Sequence, residues 1–200
     1  MHTGGIILCG GESTRMGTPK AWLSFGRETL LARVARIMSE AVRPIIVVAA
    51  PGQDVPPLPR EIEIVRDRNA GCGPLEGIAT GLKVIAERAD AAFVASCDLP
   101  LLQAAFVRHV VAQLDDAHVA AVPRVAGFPQ PLAGVYRTAL CQPLDERIAA
   151  GRLSVRDFLA TIPTRWLDDA ELRAVDPELQ SLVNINCPAD YEAALRRVKE

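Results

Sequence analysis

Residues 8–20 read Leu-Cys-Gly-Gly-Glu-Ser-Thr-Arg-Met-Gly-Thr-Pro-Lys, and they close the apolar run Ile6-Ile7-Leu8-Cys9. A segment with helical periodicity follows, so the stretch is a loop leaving a first strand. Gly10, Gly11 and Gly17 let backbone N–H groups approach an anion with no Cβ in the way. Successive N–H groups in such a turn form an anion-binding concavity. Ser13 and Thr14 add hydroxyls, Arg15 can grip a phosphate through two parallel hydrogen bonds, and Lys20 is a movable point charge. These residue types predict a polyphosphate site, a nucleoside triphosphate above all. The plain alternative is a Gly-rich connection with solvated charges. A Walker A loop does not fit, because the segment from Gly11 lacks Lys after its second Gly. Gly10-Gly11-Glu12 also breaks the dinucleotide spacing G-x-G-x-x-G.

Outward from this loop, strand-like runs alternate with helical ones. Strands are expected at residues 5–9, 45–50, 62–66, 92–97 and 119–122, and helices at 28–41, 75–88 and 101–114. The strands are continuously apolar, which suits burial on both faces. The alternation predicts a single-domain α/β fold, Rossmann-like and three-layered, with a mostly parallel central sheet. Ligands in such sheets bind beyond the carboxyl ends of the strands. After residue 123 the rhythm loosens, with strands expected at 131–137 and 164–168 and helices at 139–150, 154–161 and from Pro188 to Val198. Residues 169–180 are polar and weakly helical in pattern. No linker marks a second domain. Residues 1–123 read as a nucleotide-binding half and 124–200 as an acceptor-binding half.

Composition narrows the function. A chain of 200 residues, 50% hydrophobic, suits one compact domain. A net charge of −2 with only 4% aromatics gives no footprint for nucleic acid or an anionic membrane. Cys9, Cys72, Cys97, Cys141 and Cys187 are odd in number and dispersed, with neither zinc-ligand spacing nor a disulfide framework. No apolar run approaches the ~18 residues of a membrane span, and the N-terminus lacks a basic signal-peptide region. The expected location is cytoplasmic.

A second constellation lies at later strand ends. Asp98 follows the run Phe93-Val94-Ala95-Ser96-Cys97. A carboxylate there can recruit Mg²⁺ beside a triphosphate, because Mg²⁺ takes carboxylate oxygens together with phosphates and water. A turn or helix-capping Asp is the alternative. Asp67 sits past the third strand as a metal or ribose contact, or as a solvated turn residue. Gly73-Pro74-Leu75-Glu76-Gly77 enters a helix, where glycines serve either close ligand approach or helix-to-strand packing at Gly77 and Gly81.

The pattern G-G-x-S-x-R-M-G-x-x-K after an N-terminal strand resembles the nucleotidyltransferases of molybdenum cofactor biosynthesis. The G-P-L-x-G element and the strand-end C-D-x-P are similar to the guanylyltransferases of that group, more than to its cytidylyltransferases. The resemblance implies transfer of GMP from GTP to the phosphate of molybdopterin or its molybdenum-loaded form, with release of pyrophosphate. It implies that Leu8, Cys9 and Gly10 frame the nucleotide and that Lys20 and Asp67 contact it; Gly11, Ser13 and Arg15 of the loop, Gly73 and Pro74 of the turn, and Asp98 complete the expected nucleotide-binding set. It also implies that Asp98 binds Mg²⁺, the expected cofactor, with Arg15, Lys20 and Asp98 as the catalytic set. Transient contact with molybdopterin-handling proteins or a molybdoenzyme follows from the same likeness. One departure stands out: the family pattern places an Asn after the second strand, whereas this chain has only Gln53 to offer a side-chain amide there.

The later half carries Gly127-Phe128-Pro129-Gln130-Pro131-Leu132 and Asn184-Ile185-Asn186-Cys187-Pro188, which resemble the family's Q-P-L and V-N-x-N-x-P segments. Gln130 either reads a polar pterin edge or shapes a turn. Asn184 and Asn186, on one face by alternation, either reach ligand or cap the helix from Pro188. Arg124 and Arg156 read first as solvated surface charges and second as partners of an anionic acceptor. Two rivals stay open: a cytidylyl- or sugar-phosphate nucleotidyltransferase, and a binding module that hands on cofactor without turnover.

Overall fold

Adjacent residues of the first strand part company: Ile6 packs with one helical layer and Ile7 with the other. The computed structural model describes residues 1–10, 18–67 and 73–199. In chain order the strands are β1 (Thr3–Leu8), β2 (Ser24–Phe25), β3 (Glu28–Thr29), β4 (Ile45–Ala49) and β5 (Glu63–Arg66), then β6 (Ala91–Ser96), β7 (Ala120–Val125), β8 (Phe128–Pro129), β9 (Ala133–Arg137) and β10 (Thr164–Leu167). The α-helices are α1 (Leu30–Ser39), α2 (Pro74–Ile85), α3 (Ala104–Ala112), α4 (Cys141–Ala149), α5 (Val155–Leu159), α6 (Asp169–Arg173) and α7 (Pro188–Lys199).

The main sheet runs β10-β7-β9-β6-β1-β4-β5, with β8 paired to β7. Pairs β1–β4, β1–β6, β4–β5 and β7–β10 are parallel, while β9 lies antiparallel between β6 and β7. The expected mostly parallel sheet is therefore present. Strand β9 of the later half lies inside it, so both halves of the chain share one core. Leu31, Val34 and Met38 of α1 and Phe106 and Val107 of α3 cover one face through Ile7, Val47 and Phe93. Leu75, Ile78 and Leu82 of α2, Leu144 of α4 and Phe158 of α5 cover the other through Ile6, Val94 and Tyr136.

Three of the helices start at local sequence signals, whereas α3 begins at Ala104, three residues after the expected start, with no side-chain cap at Gln103. Thr29 caps α1, accepting from the Ala32 N–H at 3.3 Å. Pro74 occupies the first turn of α2, where its missing N–H costs nothing. Asp168 and Glu171 form a reciprocal capping box on α6. Helix α2 lies unusually close to β1: a Cβ on Gly81 would fall 2.6 Å from Ile6 Cγ2, and one on Gly77 2.9 Å from Leu8 Cδ2. Of the two uses open for these glycines, the geometry displays helix-to-strand packing.

The β2–β3 hairpin is absent from the sequence reading. Phe25 from it joins Leu30, Leu101, Ile185 and Ala194 in a small separate cluster. Arg33 lies over the Phe25 ring at 5.0 Å, and Tyr191 meets that ring edge-on at 6.4 Å. The Tyr191 hydroxyl also donates to the Ser24 carbonyl. This cluster pins the start of α7, and with it residues 184–187, beside the carboxyl edge of the sheet.

Candidate functional site

Six strands of the main sheet point the same way, so their carboxyl ends share one edge. Cross-links between the departing chains hold that edge together. Cys9 N donates to Val48 O at 2.9 Å, Cys97 N to Leu8 O at 3.0 Å, Asp67 N to Ala49 O at 3.0 Å, and Ile185 N to Asp98 O at 3.0 Å. Leu8 is buried against α2, and Cys9 is buried beneath the edge. Gly10 is the first exposed residue of the chain leaving β1.

Three predicted residues from distant parts of the chain meet here. Lys20 Nζ lies 2.7 Å from Asp98 Oδ2 and 3.2 Å from Asn186 Oδ1. Asp98 Oδ1 accepts from the Ser96 hydroxyl at 2.5 Å. Lys20 and Asp98 side chains are 20% and 13% exposed, so the pair is shielded but open to a ligand. Ser96 was missed in the sequence. Its signal was the hydroxyl two residues before Asp98, on the same face of the strand end.

Asn186 does not cap α7 with its side chain. Asp190 does so instead, accepting from Asn186 N at 2.8 Å and Cys187 N at 3.0 Å, and those N–H groups hold its carboxyl below the usual range. Asn186 is thereby free to face Lys20. Asn184 is likewise exposed, with buried Ile185 between the two.

Asp67 stands at the end of β5, close to Gly10: a Cβ on Gly10 would lie 3.8 Å from Asp67 Oδ2. Its Oδ1 is buried without a hydrogen-bond partner among the described residues. Burial, reinforced by Glu76 in the first turn of α2, pushes its carboxyl up to about 6. Burial also raises the Cys9 thiol to about 11, and that of Cys97 well above its ordinary range. Neither thiol is a nucleophile in this setting. Gly73, at φ 70°, and Pro74 open α2 at the same edge. Gly73 gives the α2 start no side-chain cap, and the helix N-terminus is a position that suits an anion.

Gln53 has another task than base reading. Its Nε2 donates to Cys9 O at 2.7 Å and its Oε1 accepts from Ala50 N at 3.0 Å. The amide is spent tying the turn after β4 to the end of β1. In the later half, Gln130 N donates to Pro123 O at 2.8 Å, while its side chain makes one long bond of 3.4 Å to Phe128 O. Its backbone shapes the turn into β9, and its amide is loosely held. Gly11, Ser13 and Arg15 lie outside the described residues.

Among the described residues no three His, Cys, Asp or Glu side chains cluster as a metal site. A single carboxylate with hydroxyl and amide oxygens beside it nevertheless fits a hard cation that shares phosphate and water ligands. Asp98, Ser96 and Asn186 supply such oxygens, and the Lys20 ammonium already draws on two of them. Among the described residues, no helix is long and apolar enough to cross a membrane.

Residues 5–169 match the family model of the MobA-like NTP transferase domain. A protein of Mycobacterium avium named "Probable molybdenum cofactor guanylyltransferase" is 37% identical over 196 residues, spanning 96% of this chain and 95% of the relative. The crystal structure of molybdopterin-guanine dinucleotide biosynthesis protein A from Archaeoglobus fulgidus superposes with a TM-score of 0.79 at 22% identity, covering 100% of this chain and 99% of that one. A cytidylyltransferase from Leptospira borgpetersenii shares the fold at TM-score 0.72 and 14% identity, covering 100% of this chain and 87% of its own. The strand-end geometry and these likenesses agree: the chain belongs to the MobA-like NTP transferase family.

Proposed function

We propose that the chain transfers GMP from GTP to the terminal phosphate of molybdopterin or its molybdenum-loaded form, releasing pyrophosphate and giving a guanine dinucleotide cofactor. The observation that carries this reading is the contact of Lys20, Asp98 and Asn186 at the strand ends, in a chain of this family. A phosphate monoester is already an anionic nucleophile, so no side chain needs to take a proton from it. One acceptor oxygen bonds to the α-phosphorus while the bridging bond to the β-phosphate breaks, and the electron pair departs with pyrophosphate. The protein's part is alignment and charge neutralisation.

Lys20 swings from Asp98 toward the β- and γ-phosphates and offsets the charge of the leaving group, with Arg15 acting from the loop. Asp98, oriented by Ser96, would hold Mg²⁺ together with phosphate oxygens. Such an ion would supply Lewis-acid stabilisation of the α-phosphoryl group. Asn184 and Asn186, with Gln130, lie on the acceptor side. Asp67 and the backbone at Gly10 face the nucleoside, because Gln53 is engaged elsewhere. Residues 1–123 then bind mostly nucleotide, and 124–200 mostly acceptor.

The fold alone does not choose the base, since a cytidylyltransferase shares it. Pyrophosphate release with Mg²⁺ and molybdenum-loaded molybdopterin, compared across GTP, CTP and ATP, tests the reading. Release with GTP far above the others is expected. A preference for CTP moves the chain to the cytidylyl branch, and binding without release with any of them overturns the activity.

A further inference from the structure

Arg124 sits at the carboxyl end of β7, and its guanidinium carbon lies 3.9 Å from the centre of the Trp166 ring on neighbouring β10. That is close stacking, well inside the range in which an arginine is drawn to an indole face. Arg124 makes no hydrogen bond or ion pair among the described residues. One face of a planar, weakly hydrated cation is covered by the indole, while its N–H edge has no hydrogen-bond or ion-pair partner among the described residues. The backbone beneath it is fixed. Arg124 pairs with Pro129 of β8, Gln130 N bonds Pro123 O at 2.8 Å, and Ala126 N bonds Asp169 Oδ1 at 3.0 Å. Trp166 itself packs on the α2–α4–α5 side of the core. The stack is therefore held in place by the sheet, and both of its residues are half-buried rather than enclosed.

Its position in the sheet decides what it can reach. Strand β7 is two places from β6 and β10 is three, at about 4.8 Å per step. Arg124 leans toward β10, away from Asp98 at the end of β6. The guanidinium thus lies on the order of 10 Å or more from the place where phosphates react. A cation at that distance does not serve the reacting phosphate. It suits the far end of an elongated acceptor that carries a phosphate at one end and a fused ring at the other.

We propose that Arg124, laid on Trp166, forms the subsite for the flat, carbonyl-bearing heterocycle of the acceptor. The inference rests on the nucleotidyl-transfer reading above and adds a residue pair to it. The ring stacks on the other face of the guanidinium, and its carbonyl oxygen accepts from the N–H edge.

The test uses the full chain. In the pyrophosphate assay, Arg124→Ala should raise the acceptor KM roughly tenfold, the scale of one desolvated cation–π contact, while the GTP KM moves less than twofold. Arg124→Lys, which keeps the charge and loses the plane, should recover little of this, and Trp166→Phe should retain most of it. Full recovery with Lys overturns the stacking. Calorimetry with hydroxymethylpterin, which has the ring and no phosphate, and with inorganic phosphate separates the two chemistries. Loss of pterin binding in Arg124→Ala with phosphate binding kept supports the subsite. Loss of phosphate binding with pterin binding kept, or no change in either, overturns it. If the wild-type chain binds pterin through Arg124 yet releases no pyrophosphate, the subsite stands and the assigned activity falls.

Discussion

Lys20 and Arg124 are both cations at the carboxyl edge of one sheet, yet their surroundings differ. Lys20 is paired with Asp98 and Asn186, and Asp98 is in turn held by Ser96. The Arg124 side chain lies on the face of Trp166 and makes no hydrogen bond or ion pair among the described residues. The first region keeps opposite charges together until a more highly charged ligand separates them, which suits phosphates and a metal ion. The second offers a fixed flat surface, which suits a ring. On the reading proposed above, charge neutralisation and shape recognition fall on opposite sides of β9.

The largest effects are expected at the paired end. Asp98→Ala should lower Mg²⁺-dependent turnover by on the order of 10²–10³, the scale of losing one preorganised charge contact, with the thermal midpoint little changed. Unchanged turnover removes Asp98 from the chemistry. Lys20→Ala should weaken GTP binding in the same titration series, and equal affinity counts against the phosphate assignment.

The paired end also depends on how closely α2 lies on β1. Gly81→Val should cost about 3 kcal/mol of stability through overpacking against Ile6, read by denaturant melts. A neutral result means that the helix can shift without loss. At the other end, Arg124→Ala should act only on acceptor affinity, as set out above, and so sharpen the contrast between the regions.

The smallest effect concerns Asp67. Its carboxyl rises from an ordinary value of 3.8 to about 6 in the folded chain. A raised acid binds its proton more tightly when folded, so its contribution favours folding at low pH and is lost as pH rises through about 6. Asp67→Asn should therefore flatten the fall in melting temperature between pH 4 and 6. Parallel curves for the two proteins contradict the burial argument.

Much of the fold was legible because buried parallel strands are short continuous apolar runs, and β1, β4 and β6 are of that kind. The β2–β3 and β7–β8 hairpins were not, because two-residue strands leave no period to read. The order of the strands, with β9 reversed between β6 and β7, also depends on contacts that no local pattern encodes. At the site, Lys20, Asp98 and Asn186 were each legible from motif and strand-end position. Their mutual contact spans up to 166 residues and needs the α7 anchor on Phe25 and Tyr191. Gln53 was legible as an amide and not as a tie, because its partners Cys9 and Ala50 meet only when β1 and β4 pair. Arg124 read as a solvated charge for the same reason: Trp166 reaches it only through the β7–β10 pairing.

The most direct measurement is to follow label from GTP carrying a labelled α-phosphate, and separately a labelled γ-phosphate, with molybdopterin as acceptor. The account predicts that α-label appears in the dinucleotide product while γ-label leaves in pyrophosphate, and that Asp98→Ala loses both signals together. Transfer of γ-label to the acceptor, or α-label transfer that is indifferent to Asp98, would contradict it.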